Sequence, residues 1–144
     1  MEKIYFCLYF SDADCLLLPK FYISEIMKIG VNSLFEKKLE KCMTEGRLYL
    51  NPKLTISDVA AAIGSNRTYL SDYLNKKLGV TFYEYVNRYR VMEACDILVD
   101  ENNHLLKEVA EQSGFNSLST FHRSFLKVMK ITPLQYRFNK IFSI

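Results

Sequence analysis

Between Leu54 and Arg137 one pattern occurs twice. The stretch Ile56-Ser57-Asp58-Val59-Ala60-Ala61-Ala62-Ile63-Gly64 is echoed fifty positions later by Leu106-Lys107-Glu108-Val109-Ala110-Glu111-Gln112-Ser113-Gly114. Each copy carries apolar residues at helical spacing and ends in glycine, the residue that most readily takes the left-handed conformation closing a helix. A small polar residue then follows, Asn66 in the first copy and Ser117 in the second, suited to cap a further helix. Helix, tight turn and helix make a helix-turn-helix, a motif whose second helix can enter the major groove of DNA. Two such units make DNA binding the leading reading.

The copies are not identical. Ala60 to Leu70 is ten residues and Ala110 to Phe121 is eleven, so the first turn is Gly64 to Asn66 and the second, Gly114-Phe115-Asn116-Ser117, is one residue longer. Small Ala60 and Ala110 fit the close crossing of two helices, where a larger side chain would clash. Thr55 is a suitable N-cap, with Asp58 near the positive end of its helix. Val59, Ala60 and Ile63, then Leu70, Tyr73, Leu74 and the Lys77 stem, take the inward phases.

The flanking segments follow the same rules. Leu34, Phe35, Leu39, Cys42 and Met43 recur at helical spacing up to Gly46, and Asn51-Pro52 marks a turn. Thr81-Phe82-Tyr83-Glu84 has the form of a capping box. From there Phe82, Tyr85, Val86, Tyr89, Met92 and Leu98 form an apolar stripe, predicting a helix to Val99 about 27 Å long that acts as a spacer. Thr132-Pro133-Leu134-Gln135 supplies a cap, a proline at the first helical position and a capping-box partner, so a last helix follows.

Composition narrows the alternatives. With 144 residues, 49% of them hydrophobic, the chain can bury one ordinary core, undivided or in two lobes. Cys7, Cys15, Cys42 and Cys95 show no metal-ligand spacing, no disulfide framework and no nucleophile setting, so they read as buried residues, and neither a metal nor an enzyme is expected. The apolar run Ile4 to Phe10 is too short to span a bilayer and lacks a signal-peptide flank, which makes the cytoplasm the default. Net charge is only +3, but it is unevenly placed. Val91 to Glu111 holds six carboxylates against Lys107, whereas Gln112 to Ile144 holds Arg123, Lys127, Lys130, Arg137 and Lys140 and no acid. Such polarity suits a body with one face toward phosphate.

The run Gly114-Phe115-Asn116-Ser117-Leu118-Ser119-Thr120-Phe121-His122-Arg123-Ser124-Phe125, closed by Thr132-Pro133-Leu134-Gln135-Tyr136-Arg137, resembles the signature of the AraC/XylS family of bacterial transcription regulators. The segment Tyr85-Val86-Asn87-Arg88-Tyr89-Arg90, with Ala94 and Leu98 after it, is similar to that family's connecting helix. The resemblance covers about Leu34 to Phe138. Lys130 stands where the family commonly has glycine, and Leu126 where lysine is frequent. The resemblance implies an all-α fold of about seven helices, with two helix-turn-helix lobes on successive major-groove segments. The expected domains are an N-terminal segment, 1–33, without an assigned role and a candidate remnant of a longer protein, then the DNA-binding domain over 34–140. Within it the first lobe covers about 34–80, the linker helix about 82–99 and the second lobe about 104–140.

Helical phase selects the outward side chains. In the first recognition helix these are Arg67, Thr68, Ser71, Asp72 and Asn75, and in the second Leu118, Ser119, His122, Arg123 and Leu126, the candidates for base contact. Arg123 leads them, since arginine can donate twice to guanine, with a phosphate contact as its alternative. Asp72 would repel phosphate, and pairing with Lys76 four residues on is its competing role. Asn66 and Ser117 at the recognition-helix starts, with Arg67, Lys76, Lys127 and Lys130, are candidates for phosphate contact. Tyr85, Tyr89, Phe115, Phe121 and Phe125 lie at core spacing. The expected partners are double-stranded DNA and, for an activator, RNA polymerase, with no metal, cofactor or membrane. The competing reading is a helical protein-interaction module that turns its basic surface to an acidic protein.

Overall fold

Local capping decides where most helices begin. In the computed structural model, which describes residues 33–100 and 102–142, the side chains of Ser33, Thr55, Asn66, Thr81 and Ser117 each accept from a backbone N–H in the first turn of the helix that follows. The N-terminal segment up to residue 32, with Ile4 to Phe10, Cys7 and Cys15, lies outside the described residues. The helices are α1 Leu34–Thr44, α2 Ile56–Ala62, α3 Arg67–Asp72, α4 Phe82–Leu98, α5 Leu106–Gln112, α6 Leu118–Met129 and α7 Pro133–Phe142. A 3-10 turn, Leu48–Leu50, links α1 to α2. The described residues form no strand, so the fold is all-α.

Two cores result. Leu39, Met43, Val59, Ile63, Leu70 and Leu74 close the first around α1 to α3. Val109, Ala110, Phe115, Phe121, Phe125 and Met129 close the second around α5 to α7. Burying one side chain of this size contributes about 1.5–3 kcal/mol. Ala60 and Ala110 are both buried at the helix crossings, as their size requires. α4 feeds both cores, with Tyr85, Val86 and Tyr89 in the first and Val91, Ala94, Cys95 and Leu98 in the second. It is therefore a shared spine rather than the spacer that its length suggests.

Three details depart from the sequence reading. Leu34, counted among the apolar positions of α1, is 69% exposed, while Glu36 is buried and ion-paired with Lys77. Met92 is half-buried, and the charged Arg90 takes a buried place on the same helix. After Asp72 the backbone widens into a π-turn, Tyr73–Leu78, which ends at Gly79 in the left-handed conformation. Among the described residues no helix is long and apolar enough to cross a membrane.

Candidate nucleic-acid interface

The two turns that precede the recognition helices are built alike. Gly64 has φ +68° and Gly114 φ +89°, a region that side chains rarely tolerate. Ser65 N–H donates to Ala60 O at 2.8 Å and Phe115 N–H to Ala110 O at 2.9 Å, so each chain reversal closes on the same small alanine. Asn66 Oδ1 then accepts from Tyr69 N–H at 2.9 Å, and Ser117 Oγ from Thr120 N–H at 3.2 Å. Both candidate phosphate-side residues are thus the caps that aim α3 and α6. A cap occupied in this way leaves the remaining first-turn N–H groups as donors for an anion.

On α3, Arg67, Thr68 and Asp72 are exposed and Ser71 is half-buried. Asp72 accepts from Lys76 Nζ at 2.9 Å, the helix-face pair weighed against base contact. Asn75 lies in the π-turn and is exposed. Its amide donates to Ser71 O at 2.8 Å and Ser71 Oγ at 3.2 Å. Three of the five candidates, Ser71, Asp72 and Asn75, are therefore engaged with neighbours one turn away.

α6 is different in character. Leu118, Ser119, Arg123 and Leu126 are exposed, while His122 is half-buried with its ring 5.5 Å from that of Phe121. An open hollow beside the helix is walled by Ser119, His122, Arg123, Leu126 and Lys127 and by Thr132 and Pro133 at the start of α7. Lys127, a candidate for phosphate, is ion-paired with Glu84 of α4. That ammonium, with the Thr81 N–H and hydroxyl, holds the Glu84 carboxyl down at about 2. Lys130 takes the left-handed conformation at φ +63° where the chain leaves α6, the geometry for which glycine is the usual choice. Among the described residues no cluster of His, Cys, Asp and Glu could hold a metal ion.

Sequence reasoning missed the groups that hold the two motifs together. Arg90, 7% exposed, reaches from α4 to the 3-10 turn and the residue that follows it: Nε donates to Tyr49 O at 2.7 Å and Nη2 to Asn51 O at 2.8 Å. Its guanidinium also lies 5.9 Å from the centre of the Phe115 ring. Asn116 Nδ2 donates to Pro52 O at 2.7 Å across the same gap. An arginine on an otherwise apolar stripe was the one available signal, since a buried guanidinium needs acceptors from elsewhere in the chain.

A family model described as a helix-turn-helix domain matches residues 59–139. An uncharacterised HTH-type transcriptional regulator of Bacillus subtilis, YtdP, is 36% identical over 88 residues, 61% of this chain and 11% of its own. The transcriptional regulatory protein HptR of Staphylococcus aureus is 29% identical over 84 residues, 58% of this chain and 32% of its own. The chain thus spans no more than about a third of these curated relatives. Among solved structures, the C-terminal domain of the two-component response regulator yesN from Fusobacterium nucleatum superposes with a TM-score of 0.61 at 28% identity, covering 73% of this chain and 99% of that domain.

Proposed function

This chain belongs to the AraC-type helix-turn-helix family of transcription regulators, and we propose that it binds specific duplex sites through α3 and α6, one in each of two successive major-groove segments. The observation that carries this reading is that two capped helices, each following a glycine turn, leave polar and cationic side chains exposed while their opposite faces fill two cores. Residues 34–140 would form the binding unit, with a first lobe at 34–80, α4 within the 82–99 linker, and a second lobe at 104–140. The site is asymmetric, because α3 offers Arg67, Thr68 and Ser71 where α6 offers Leu118, Ser119, His122 and Arg123. By family resemblance the outcome is activation in a bacterial cytoplasm, with RNA polymerase as the protein partner.

Base reading is assigned first to Arg123, whose side chain is exposed midway along α6, and phosphate contact to Arg67, Lys76, Lys127, Lys130 and the helix starts at Asn66 and Ser117. Selection of bound duplexes from random DNA, followed by footprinting of the selected site, tests the reading. The expected result is one asymmetric motif protected on two groove segments about one helical turn apart. Protection of a single segment contradicts two-lobe docking. A protein-interaction module is favoured by one observation, the exposed apolar residues Leu134, Phe138, Ile141 and Phe142 on α7. Failure to bind any duplex at low salt would select that second reading.

A further inference from the structure

The two motifs meet at a joint where backbone touches backbone. A methyl group built on Gly114 would stand 2.4 Å from Tyr49 O, 2.9 Å from Leu50 Cα and 3.0 Å from Leu50 O. The turn in front of α6 is therefore seated directly on the 48–52 turn of the first lobe. Arg90 closes this contact from the side. It offers donors to the carbonyls of Tyr49 and Asn51, steadies its own fork on Asn87 Oδ1 at 3.2 Å, and lies over the ring of Phe115, the residue after Gly114. Asn116, one position nearer the cap of α6, binds Pro52 O. On the same helix as Arg90, Asn87 Nδ2 donates to Ser124 Oγ at 3.3 Å and Glu84 pairs with Lys127, so the second recognition helix is tied to the half of α4 that belongs to the first core.

A guanidinium that is buried without a carboxylate is costly unless its hydrogen bonds are made. Substituting it leaves two carbonyls without their donor, so the joint has one well-satisfied arrangement and poor neighbouring ones. On B-DNA this matters, because one added base pair moves a half-site about 3.4 Å along the axis and turns it about 35° around it. A rigid joint can match one separation only.

We propose that Arg90 and Asn116 are positioning residues that set the number of base pairs the chain accepts between its two half-sites. The inference rests on the DNA-binding reading above. Arg90 and Asn116 touch no base in this scheme, and their effect is on the separation of α3 and α6, not on the sequence that either reads.

The full chain is tested on duplexes carrying the two half-sites of its own selected motif at the selected spacing and at one to three base pairs more or fewer. The native chain is expected to lose about tenfold or more in affinity at a change of one base pair. For R90M and N116A the loss at the same change should shrink to within about threefold, with unchanged base preference inside each half-site. A native chain indifferent to spacing, or variants whose spacing profiles parallel the native one, would overturn the inference while leaving DNA binding intact. Enrichment of no sequence at all would remove the DNA-binding reading and the inference with it. Nitrogen-15 relaxation of the free protein supplies a readout without DNA: native lobes should tumble with one correlation time and those of R90M with two. If R90M loses its amide dispersion, N116A decides, since Asn116 is exposed and its side chain can be removed without opening a core.

Discussion

At Lys130 the backbone has φ +63°, a conformation that costs a residue with a Cβ roughly 1 kcal/mol relative to glycine. Lys130→Gly is therefore expected to stabilise the chain by about 0.5–1 kcal/mol, read as a higher denaturant midpoint at unchanged slope, even though glycine loses more freedom on folding. The same substitution removes a candidate phosphate contact, so stability and duplex affinity should move in opposite directions. Arg123 poses a different question, because its side chain is exposed and makes no contact that the fold requires. Arg123→Ala should leave stability within about 0.5 kcal/mol and cost about 1–3 kcal/mol at one base position of the selected site. Equal losses on the selected duplex and on random duplex would assign Arg123 to phosphate instead. Among the cysteines, Cys42 is half-buried with its thiol pushed up by burial, and Cys95 is buried, in keeping with packing roles.

At the level of elements, the start of α4 joins a cap to an ion pair. Glu84 accepts from Thr81 N–H at 2.9 Å and also holds Lys127 of α6. Its folded value of about 2 lies below the ordinary 4.5, so its contribution is complete above about pH 4.5 and is lost as pH falls toward 2. The Lys127 side chain is 65% exposed and that of Glu84 37%, so solvent screening keeps the pair near about 0.5 kcal/mol. Glu84→Gln preserves the capping box, which glutamine also serves, and removes the charge. Its stability deficit should be present at pH 7 and vanish near pH 2; a deficit independent of pH would place the loss in the cap. Freed from Glu84, Lys127 should also steepen the salt dependence of duplex binding by up to about one released counterion. The helix starts were legible in the sequence because Thr55, Asn66, Thr81, Ser117 and Thr132 act on residues two or three positions away. Helical phase gave the exposed Arg67, Thr68, Asp72, Ser119 and Arg123, whereas Ser71 and His122 are half-buried and the π-turn that holds Asn75 has no spacing signal. Contacts such as Glu36 with Lys77, or Arg90 with Tyr49 and Asn51, span about forty positions, and no local pattern encodes which partner a buried charge will meet.

For the whole molecule the shared α4 and the joint at Gly114 have a thermodynamic consequence. Two cores of this size would be marginal separately, since small domains bury a low fraction of their surface. Here Tyr89 and Val91, two residues apart, sit in different cores, so unwinding the middle of α4 exposes apolar surface in both. Arg90 lies between them, and loss of the first lobe would leave its guanidinium without the Tyr49 and Asn51 carbonyls. The lobes should therefore unfold as one cooperative unit. Phe121 and Leu70 are both fully buried, one in each core. Phe121→Ala and Leu70→Ala should each cost about 3–5 kcal/mol, and amide hydrogen exchange should show the same loss of protection in α2 and α3 as in α6. Protection that falls only in the lobe carrying the substitution would mean that the lobes open independently. In that case α4 would be a hinge, and the separation of the recognition helices would be chosen by the DNA rather than imposed on it.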